Sequence, residues 1–392
     1  IYGKDLVYFD NAATSQRPQS VIDEWNRITC ESNANIHRAV HKLADEATQA
    51  YEQARDAVKD FINAEFREEI IFTSGTTASV NLAAFCFGEA YIKEGDEVIV
   101  TEAEHHSNIV PWQMMCRRKG AILKVLPIDD SGHLIIDELD SLITGRTRIM
   151  AVTHISNVLG IVNPVKDIVE KCHSKGVAVL VDGAQGAVHC KVDVRDMDCD
   201  FYVFSGHKLY AATGTGVLYG KKKWLENMPP YMGGGEMVGT VKFSGTTYAP
   251  LPMKYEAGTQ NFASAATLKP AIELLNILND NNLEKYNNSI KDYLLNILIN
   301  DERIILYGVP RGTSEEKIPL FSFTVKGIHH EDLALILDKM GIAVRSGQMC
   351  AEPLMDRFGV TGMLRISLAP YNTMQEAEYF VKCLNKAIDM LI

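Results

Sequence analysis

Two reactive side chains lie just beyond short apolar runs of the sequence. Asp182 directly follows the run Val177–Val181, and Lys208 follows Phe201–Phe204 after three intervening residues. An acidic residue at the end of an apolar strand is costly to bury without a partner, so it either caps the next helix or faces a cationic group of a ligand. A lone lysine is usually a solvated surface charge. A lysine at the end of a neighbouring strand is a candidate for chemistry with that aspartate.

Small residues and hydroxyl groups follow another apolar run, Ile70–Phe72, and precede a predicted helix. In this segment, Thr73–Thr77, free N–H groups and the helix dipole favour an anion, although an ordinary helix N-cap would use the same residues. Together with Asp182 and Lys208, the segment suggests pyridoxal phosphate. That cofactor requires an amine, a carboxylate beside its ring nitrogen and a phosphate site. A generic polar site at the sheet edge is the competing interpretation.

Other polar residues at predicted strand ends carry weaker predictions. His105 and His106 follow Val98–Val100, but neighbouring side chains rarely face the same ligand, so the pair does not predict a metal site. Asn157 is a candidate for a hydrogen bond to a ligand, although an asparagine that stabilises a turn is the commoner interpretation. No two cysteines have the CxxC spacing, so no zinc site is predicted.

The elements that must position these residues predict an α/β fold with a mostly parallel central sheet. The apolar runs are short and uniformly apolar, as in strands covered on both faces, and helical patterns at His41–Ile62, Thr77–Gly88 and Val165–Lys175 lie around them. The predicted strands are Ile70–Phe72, Val98–Val100, Ile122–Leu126, Ile149–Val152, Val177–Val181, Phe201–Phe204 and Val217–Tyr219.

After about residue 260 the pattern changes to that of a smaller α+β domain. We predict a large domain over residues 14–262 and a small domain formed by residues 1–13 and 263–392. The elements predicted for the small domain are a helical stretch Ala266–Leu298, strands Leu320–Val325, Ala343–Ser346 and Leu364–Ser367, and helices Glu331–Met340 and Gln375–Leu391.

Composition excludes several classes of protein. Lys and Arg total 39 against 50 Asp and Glu, a net charge of −11, which argues against nucleic-acid binding. No apolar run reaches the roughly 18 residues that a membrane helix needs, and the N-terminus does not resemble a signal peptide. The eight dispersed cysteines then predict free thiols in a reducing cytoplasm.

The sequence resembles the fold-type I, class V aminotransferase superfamily, and within it the group II cysteine desulfurases, the sulfur-mobilisation type related to selenocysteine lyases. The resemblance covers almost the whole chain, and its strength lies in the number and order of the motifs. They are Tyr8–Thr14, Asn35–Arg38, Thr73–Thr77, Glu104–Asn108, Val181–Gln185, Ser205–Lys208, Gly233–Met237, Glu256–Thr259, Arg345–Cys350 and Leu364–Ser367.

The resemblance implies a role for each residue that binds pyridoxal phosphate. Lys208 forms the internal aldimine and moves the Cα proton, Asp182 pairs with the pyridine nitrogen, Gln185 binds the ring oxygen and His105 stacks on the ring. The phosphate is bound by Thr76, Thr77, Ser205, His207 and, in a homodimer, Thr259 of the partner subunit.

The resemblance also implies the substrate and the reaction. Arg365 binds the carboxylate of L-cysteine through a bidentate pair of hydrogen bonds, a geometry that the guanidinium group favours. Asn157 and Arg345 lie at the same site. Cys350 lies in a glycine-containing loop, where a reactive thiol is expected, and takes the sulfur as a persulfide, leaving L-alanine. The sulfur then passes to an acceptor protein for iron–sulfur cluster assembly.

Two segments depart from the pattern of that group. Gln348-Met349 stands where two histidines are usual, so a histidine near the thiol that is a candidate for assisting proton transfer is absent. Tyr210–Gly214 lacks a glycine and a proline that are usual there. Two enzymatic alternatives stay open: a selenocysteine lyase acting on L-selenocysteine, or another class V transaminase or β-lyase. A non-catalytic scaffold of a sulfur-transfer complex is a third alternative, disfavoured by the intact set of Asp182, Lys208 and Cys350.

Overall fold

A mostly parallel sheet of seven strands lies at the centre of the computed structural model, which describes residues 1–280, 283–312 and 316–392. Strands are numbered along the chain. They are β1 Val7–Tyr8, β2 Ile70–Thr73, β3 Glu97–Thr101, β4 Ile122–Leu126, β5 Thr147–Thr153, β6 Ala178–Asp182, β7 Phe201–Ser205, β8 Gly216–Gly220, β9 Val238–Lys242, β10 Gly245–Tyr248, β11 Ile304–Tyr307, β12 Leu320–Val325, β13 Ile342–Ala343, β14 Arg345–Gly347 and β15 Met363–Ser367.

The spatial order of the central sheet is β2-β8-β7-β6-β5-β3-β4. Strand β8 runs antiparallel to both its neighbours, and the other pairs are parallel. All seven predicted apolar runs form its strands, so the predicted α/β class is confirmed. One detail was wrong: β4 is not covered on both faces, because it is an edge strand, and Ile122 and Val125 remain 49% and 47% exposed.

Helices cover both faces of the sheet. Successive residues of β6 alternate between two apolar cores, as the pleat of a strand requires: Val179 and Val181 face one, Ala178 and Leu180 the other. The helices are α1 Gln19–Glu31, α2 Lys42–Phe61, α3 Thr76–Tyr91, α4 Val110–Lys119, α5 Leu139–Leu142, α6 Val165–Ser174, α7 Gly186–His189, α8 Val194–Met197, α9 Lys222–Asn227, α10 Phe262–Ala266, α11 Leu268–Asp280, α12 Leu283–Asn300, α13 His330–Lys339, α14 Glu352–Phe358 and α15 Met374–Leu391.

A second, antiparallel sheet has the order β11-β12-β15-β14 and packs on α12, α13 and α15 around its own core, which includes Phe9, Phe321 and Phe380. The N-terminal strand β1 joins this part of the molecule by pairing with β13. The predicted helical stretch Ala266–Leu298 is divided among α10, α11 and α12, and part of it, residues 281 and 282, lies outside the described residues. The predicted domain boundaries stay a prediction.

The carboxyl ends of the parallel strands bring the candidate residues to one edge of the central sheet. Strand β6 ends at Asp182 and β7 ends at Ser205, while His105 and Asn157 lie in the segments that follow β3 and β5. Ligands of open α/β sheets bind at this edge. In the part of the chain that the structure describes, no helix is both long enough and apolar enough to cross a membrane.

Candidate active site

A cavity of about 300 Å³ opens at this edge, between the central sheet and the second sheet. Every residue predicted to bind cofactor or substrate lines it, apart from Thr259. The lining residues are Ala12, Ala13, Thr76, Thr77, His105, Ser107, Thr153, Ile155, Asn157, Asp182, Ala184, Gln185, Ser205, His207, Lys208, Arg345, Met349, Cys350 and Arg365.

Asp182 and Lys208 are residues of opposite charge that line the cavity, and Asp182 is buried. One oxygen of Asp182, Oδ1, accepts a hydrogen bond from the Ala184 N–H at 2.9 Å. Burial raises the pKa of Asp182 and lowers the pKa of Lys208, while the attraction between the two groups opposes both shifts. The carboxylate is therefore suited to a cationic partner, and the lysine is held closer to the neutral amine, which is the nucleophilic form.

Hydroxyl and N–H groups form another end of the cavity, at the first turn of α3. The Ser205 Oγ accepts a hydrogen bond from Thr76 N at 2.8 Å and lies 2.7 Å from Thr76 Oγ1. Burial, with the charge of Lys208 as a smaller cause, lowers the pKa of His207 to about 4, so its imidazole is neutral at pH 7. A helix N-terminus flanked by neutral donors is suited to a phosphate group.

His105 presents a neutral ring to the cavity. Its Nδ1 accepts a hydrogen bond from the Ser107 N–H at 3.1 Å, so the ring proton of the neutral form lies on Nε2. Burial, followed by the charge of Lys208, lowers the pKa of His105 to about 4. His106 instead faces the Cys350 loop, where its Nε2 accepts a hydrogen bond from the Glu352 N–H at 3.0 Å. The two histidines thus face different partners, as predicted.

Two arginines approach the cavity from neighbouring strands, because Arg345 of β14 and Arg365 of β15 are paired residues. They share Asp10, which lies 2.7 Å from Arg345 Nη2 and 3.3 Å from Arg365 Nη2. Arg365 is only 3% exposed, and its Nη1 donates to the Asn157 carbonyl at 2.8 Å. Burial lowers the pKa of Arg365 to about 10, so the guanidinium keeps its charge at pH 7 and can bind a carboxylate.

Asp10 and Ser107 were not predicted as site residues, although both lie inside the motifs Tyr8–Thr14 and Glu104–Asn108. Asp10 follows a strand of only two residues, too short to be recognised from hydrophobic pattern, and so its place beside the arginines was not predicted. Ser107 follows His105 by two positions, the spacing at which a polar side chain and the next backbone N–H often meet.

Cys350 is exposed. Cys86, Cys172 and Cys383 are buried in helices, and burial raises the pKa of Cys86 to about 12. Cys30 has a different environment from these three. It lies on the outer face of α1 and is exposed, because the apolar face of that helix turns towards its neighbours.

Of two residues predicted to contact the cofactor, Gln185 lines the cavity of the single chain and Thr259 does not. Gln185 lines the cavity, and its Nε2 already donates to the Ala12 carbonyl at 2.9 Å. Thr259 is exposed and lies outside the cavity, so a role for it requires the partner subunit and stays a prediction. Among the described residues, no group of three or more His, Cys, Asp or Glu side chains is placed to hold a metal ion.

The chain is similar to known proteins over almost its whole length. The model of the family "Aminotransferase class-V" matches residues 7–380. The chain is 44% identical to a "Probable cysteine desulfurase" of Vibrio cholerae, over 100% of this chain and 96% of the relative. It is 45% identical to a "Cysteine desulfurase" of Cronobacter sakazakii, over 97% and 93% of the two chains.

Solved structures give the same result. The crystal structure of the cysteine desulfurase CsdA (S-sulfonic acid) from Escherichia coli is 40% identical, with a TM-score of 0.92 over 99% of this chain and 96% of that one. The apo structure of cysteine desulfurase from Thermococcus onnurineus NA1 is 34% identical, with a TM-score of 0.90 over 98% and 95%. The resemblance stated from the motifs is confirmed: the chain belongs to the aminotransferase class-V family.

Proposed function

We propose that this protein is a pyridoxal-phosphate-dependent cysteine desulfurase that converts L-cysteine to L-alanine and takes the sulfur on Cys350 as a persulfide. One observation carries the proposal. A single cavity brings the Lys208 amine and the buried carboxylate of Asp182 together with a buried arginine, Arg365, and the exposed thiol of Cys350. Relatives about 44% identical over the full chain bear the name cysteine desulfurase.

The residues of the cavity fit pyridoxal phosphate. Asp182 has a buried carboxylate with one oxygen left for a protonated ring nitrogen, and Lys208 has the amine for covalent attachment. The face of His105 would lie against the ring, and Gln185 would bind the ring oxygen. The phosphate would be held by Thr76, Thr77, Ser205, His207 and, in a homodimer, Thr259 of the partner subunit.

The bound cofactor supplies an electron sink for the charge left when the substrate Cα loses its proton. The side chains of this protein do the remaining work. Arg365, assisted by Arg345, binds and orients the substrate carboxylate, at the site that Asn157 also lines. Lys208, as the neutral amine that its lowered pKa favours, takes the Cα proton at Nζ.

Sulfur transfer then uses the thiolate of Cys350. Its Sγ attacks the substrate sulfur, so that a sulfur–sulfur bond forms while the substrate carbon–sulfur bond breaks and its electron pair stays on carbon. Protonation of that carbon gives L-alanine. The sum is L-cysteine plus the Cys350 thiol giving L-alanine plus the Cys350 persulfide, with no external oxidant or reductant.

The setting of this chemistry is also part of the proposal. All eight cysteines are free thiols, which supports a reducing, cytoplasmic location. The exposure of Cys350 supports delivery of its persulfide sulfur to an acceptor protein, as iron–sulfur cluster assembly requires. L-selenocysteine is the alternative substrate, since its selenium could leave without attack by a thiol.

Alanine release from L-cysteine by the cofactor-loaded protein tests the proposal, with Cys350→Ser and Lys208→Ala measured beside the wild type. We expect alanine from the wild type and almost none from either variant. Alanine from Cys350→Ser at the wild-type rate would refute the persulfide and support a lyase that does not use the thiol. Cys383→Ser, which changes a buried thiol on α15, is the matched control.

A further inference from the structure

Cys350 lies in a tight turn whose backbone is strained. The Ala351 N–H donates to the Gln348 carbonyl at 3.0 Å, which closes the turn. Within this turn, Met349 and Cys350 have backbone φ angles of 51° and 54°. These values lie in the left-handed region that residues other than glycine seldom adopt. Two such residues in succession require surrounding contacts to hold them.

The contacts that hold this turn come from segments that follow strands of the central sheet. The Asn157 Nδ2 donates to the Met349 carbonyl at 2.9 Å, and the His106 N–H donates to the Cys350 carbonyl at 2.7 Å. The carbonyls on both sides of the thiol-bearing Cα are therefore fixed. Asn157 is 8% exposed, so water competes little for its hydrogen bond.

Asn157 contacts the carboxylate-binding arginine as well. Its backbone carbonyl accepts the hydrogen bond from Arg365 Nη1 at 2.8 Å, while its side chain donates to the turn. Arg365 Nε is buried and has no hydrogen-bond partner within the described residues. A carboxylate that binds this guanidinium changes its hydrogen bonding, and Asn157 is the residue in contact with both the guanidinium and the turn.

We propose that Asn157 is a positioning residue that couples occupation of the carboxylate site at Arg365 to the position of the Cys350 thiol. The inference rests on the proposed function only for the identity of the carboxylate. Asn157→Ala is a selective change, because it keeps the backbone carbonyl that Arg365 uses and removes the amide that holds Met349.

Alkylation of Cys350 by iodoacetamide, followed by peptide mass spectrometry, tests the coupling in the cofactor-loaded protein. The exposed Cys30 reports general reactivity in the same sample. In the wild type, saturating L-alanine should change the rate at which iodoacetamide alkylates Cys350 severalfold. In Asn157→Ala, the rate without ligand should rise about fivefold, as expected for loss of one hydrogen bond, and its response to L-alanine should disappear.

Simple coverage of the thiol by L-alanine would instead give the same response in both proteins, and that result would overturn the proposal. Asn163→Ala is the matched control, because Asn163 is a buried asparagine whose side chain donates to the Thr153 carbonyl and does not touch the turn. Its Cys350 reactivity should equal that of the wild type.

Turnover gives a second, independent measurement. Asn157→Ala should lower kcat for alanine release about tenfold, while KM changes less than about twofold, because the contact with Arg365 is kept. Unchanged kcat would contradict the proposal.

The two experiments together separate the coupling from the proposed function. If L-cysteine yields no alanine but the alkylation results hold, the proposed function fails and the coupling stands. If turnover is normal but alkylation of wild type and variant responds alike, only the coupling fails.

Discussion

Replacing Arg365 by alanine leaves the substrate carboxylate without its buried cation. The guanidinium is 3% exposed, whereas the side chain of Arg345 is 47% exposed, so Arg365 interacts with a bound carboxylate in the drier environment. Removing one partner of a buried ion pair costs about 3–5 kcal/mol, which corresponds to a loss of roughly 10²-fold to several thousandfold in kcat/KM. For the exposed Arg345, loss of an ion pair is worth about 1 kcal/mol or less, and Arg345→Ala should lower kcat/KM by about fivefold at most.

Initial rates of alanine release over a range of L-cysteine concentrations measure these differences, with thermal unfolding as the check on the fold. Arg365→Lys separates charge from geometry, because lysine keeps the positive charge and loses the planar pair of donors. We expect kcat/KM to fall in the order wild type, Arg345→Ala, Arg365→Lys, Arg365→Ala. A value for Arg365→Ala within threefold of the wild type, with the fold intact, would refute the assignment.

Three further predictions concern other parts of the account. Lys208→Ala should abolish alanine release and leave circular dichroism unchanged; normal turnover would contradict its role. Burial lowers the pKa of His154 to about 4, whereas the pKa of a histidine in the unfolded chain is about 6.5. Between about pH 4 and about pH 6.5, therefore, the unfolded chain binds this proton and the folded protein does not. His154 should therefore contribute up to about 3 kcal/mol to the fall in the free energy of unfolding, measured in urea, as the pH drops from about 6.5 towards 4, and His154→Gln should make this slope shallower. An added Cβ at Gly216 would lie 2.4 Å from the Gly75 Cα. Gly216→Ala should accordingly displace the segment before α3 and weaken binding of pyridoxal phosphate, measured by cofactor absorbance; wild-type affinity would refute the close approach.

The central sheet could be predicted from sequence because burial leaves a direct pattern. Strands such as β6 are covered on both faces and are uniformly apolar, and a polar residue such as Asp182 marks the point where the covered strand ends. The same rule misread β4, whose apolar side chains remain partly exposed at the sheet edge. Apolar composition alone does not distinguish an edge strand from a central one.

Most of the polar residues that line the cavity were predicted, but their mutual contacts were not. Asp10 reaches Arg365 across more than three hundred positions of sequence, through the pairing of β1 with β13, and local pattern carries no trace of such a contact. The left-handed backbone at Met349 is likewise invisible from residue type, since methionine has no preference for it. That backbone depends on tertiary contacts, among them the one from Asn157.

The most direct test of the central claim is the mass of the peptide that contains Cys350 after the cofactor-loaded protein has reacted with L-cysteine under non-reducing conditions. The proposed reaction predicts that this peptide gains one sulfur atom, that dithiothreitol removes it, and that the exposed Cys30 gains none. Alanine produced while Cys350 stays an unmodified thiol would contradict the account, because sulfur would then leave the substrate without this residue.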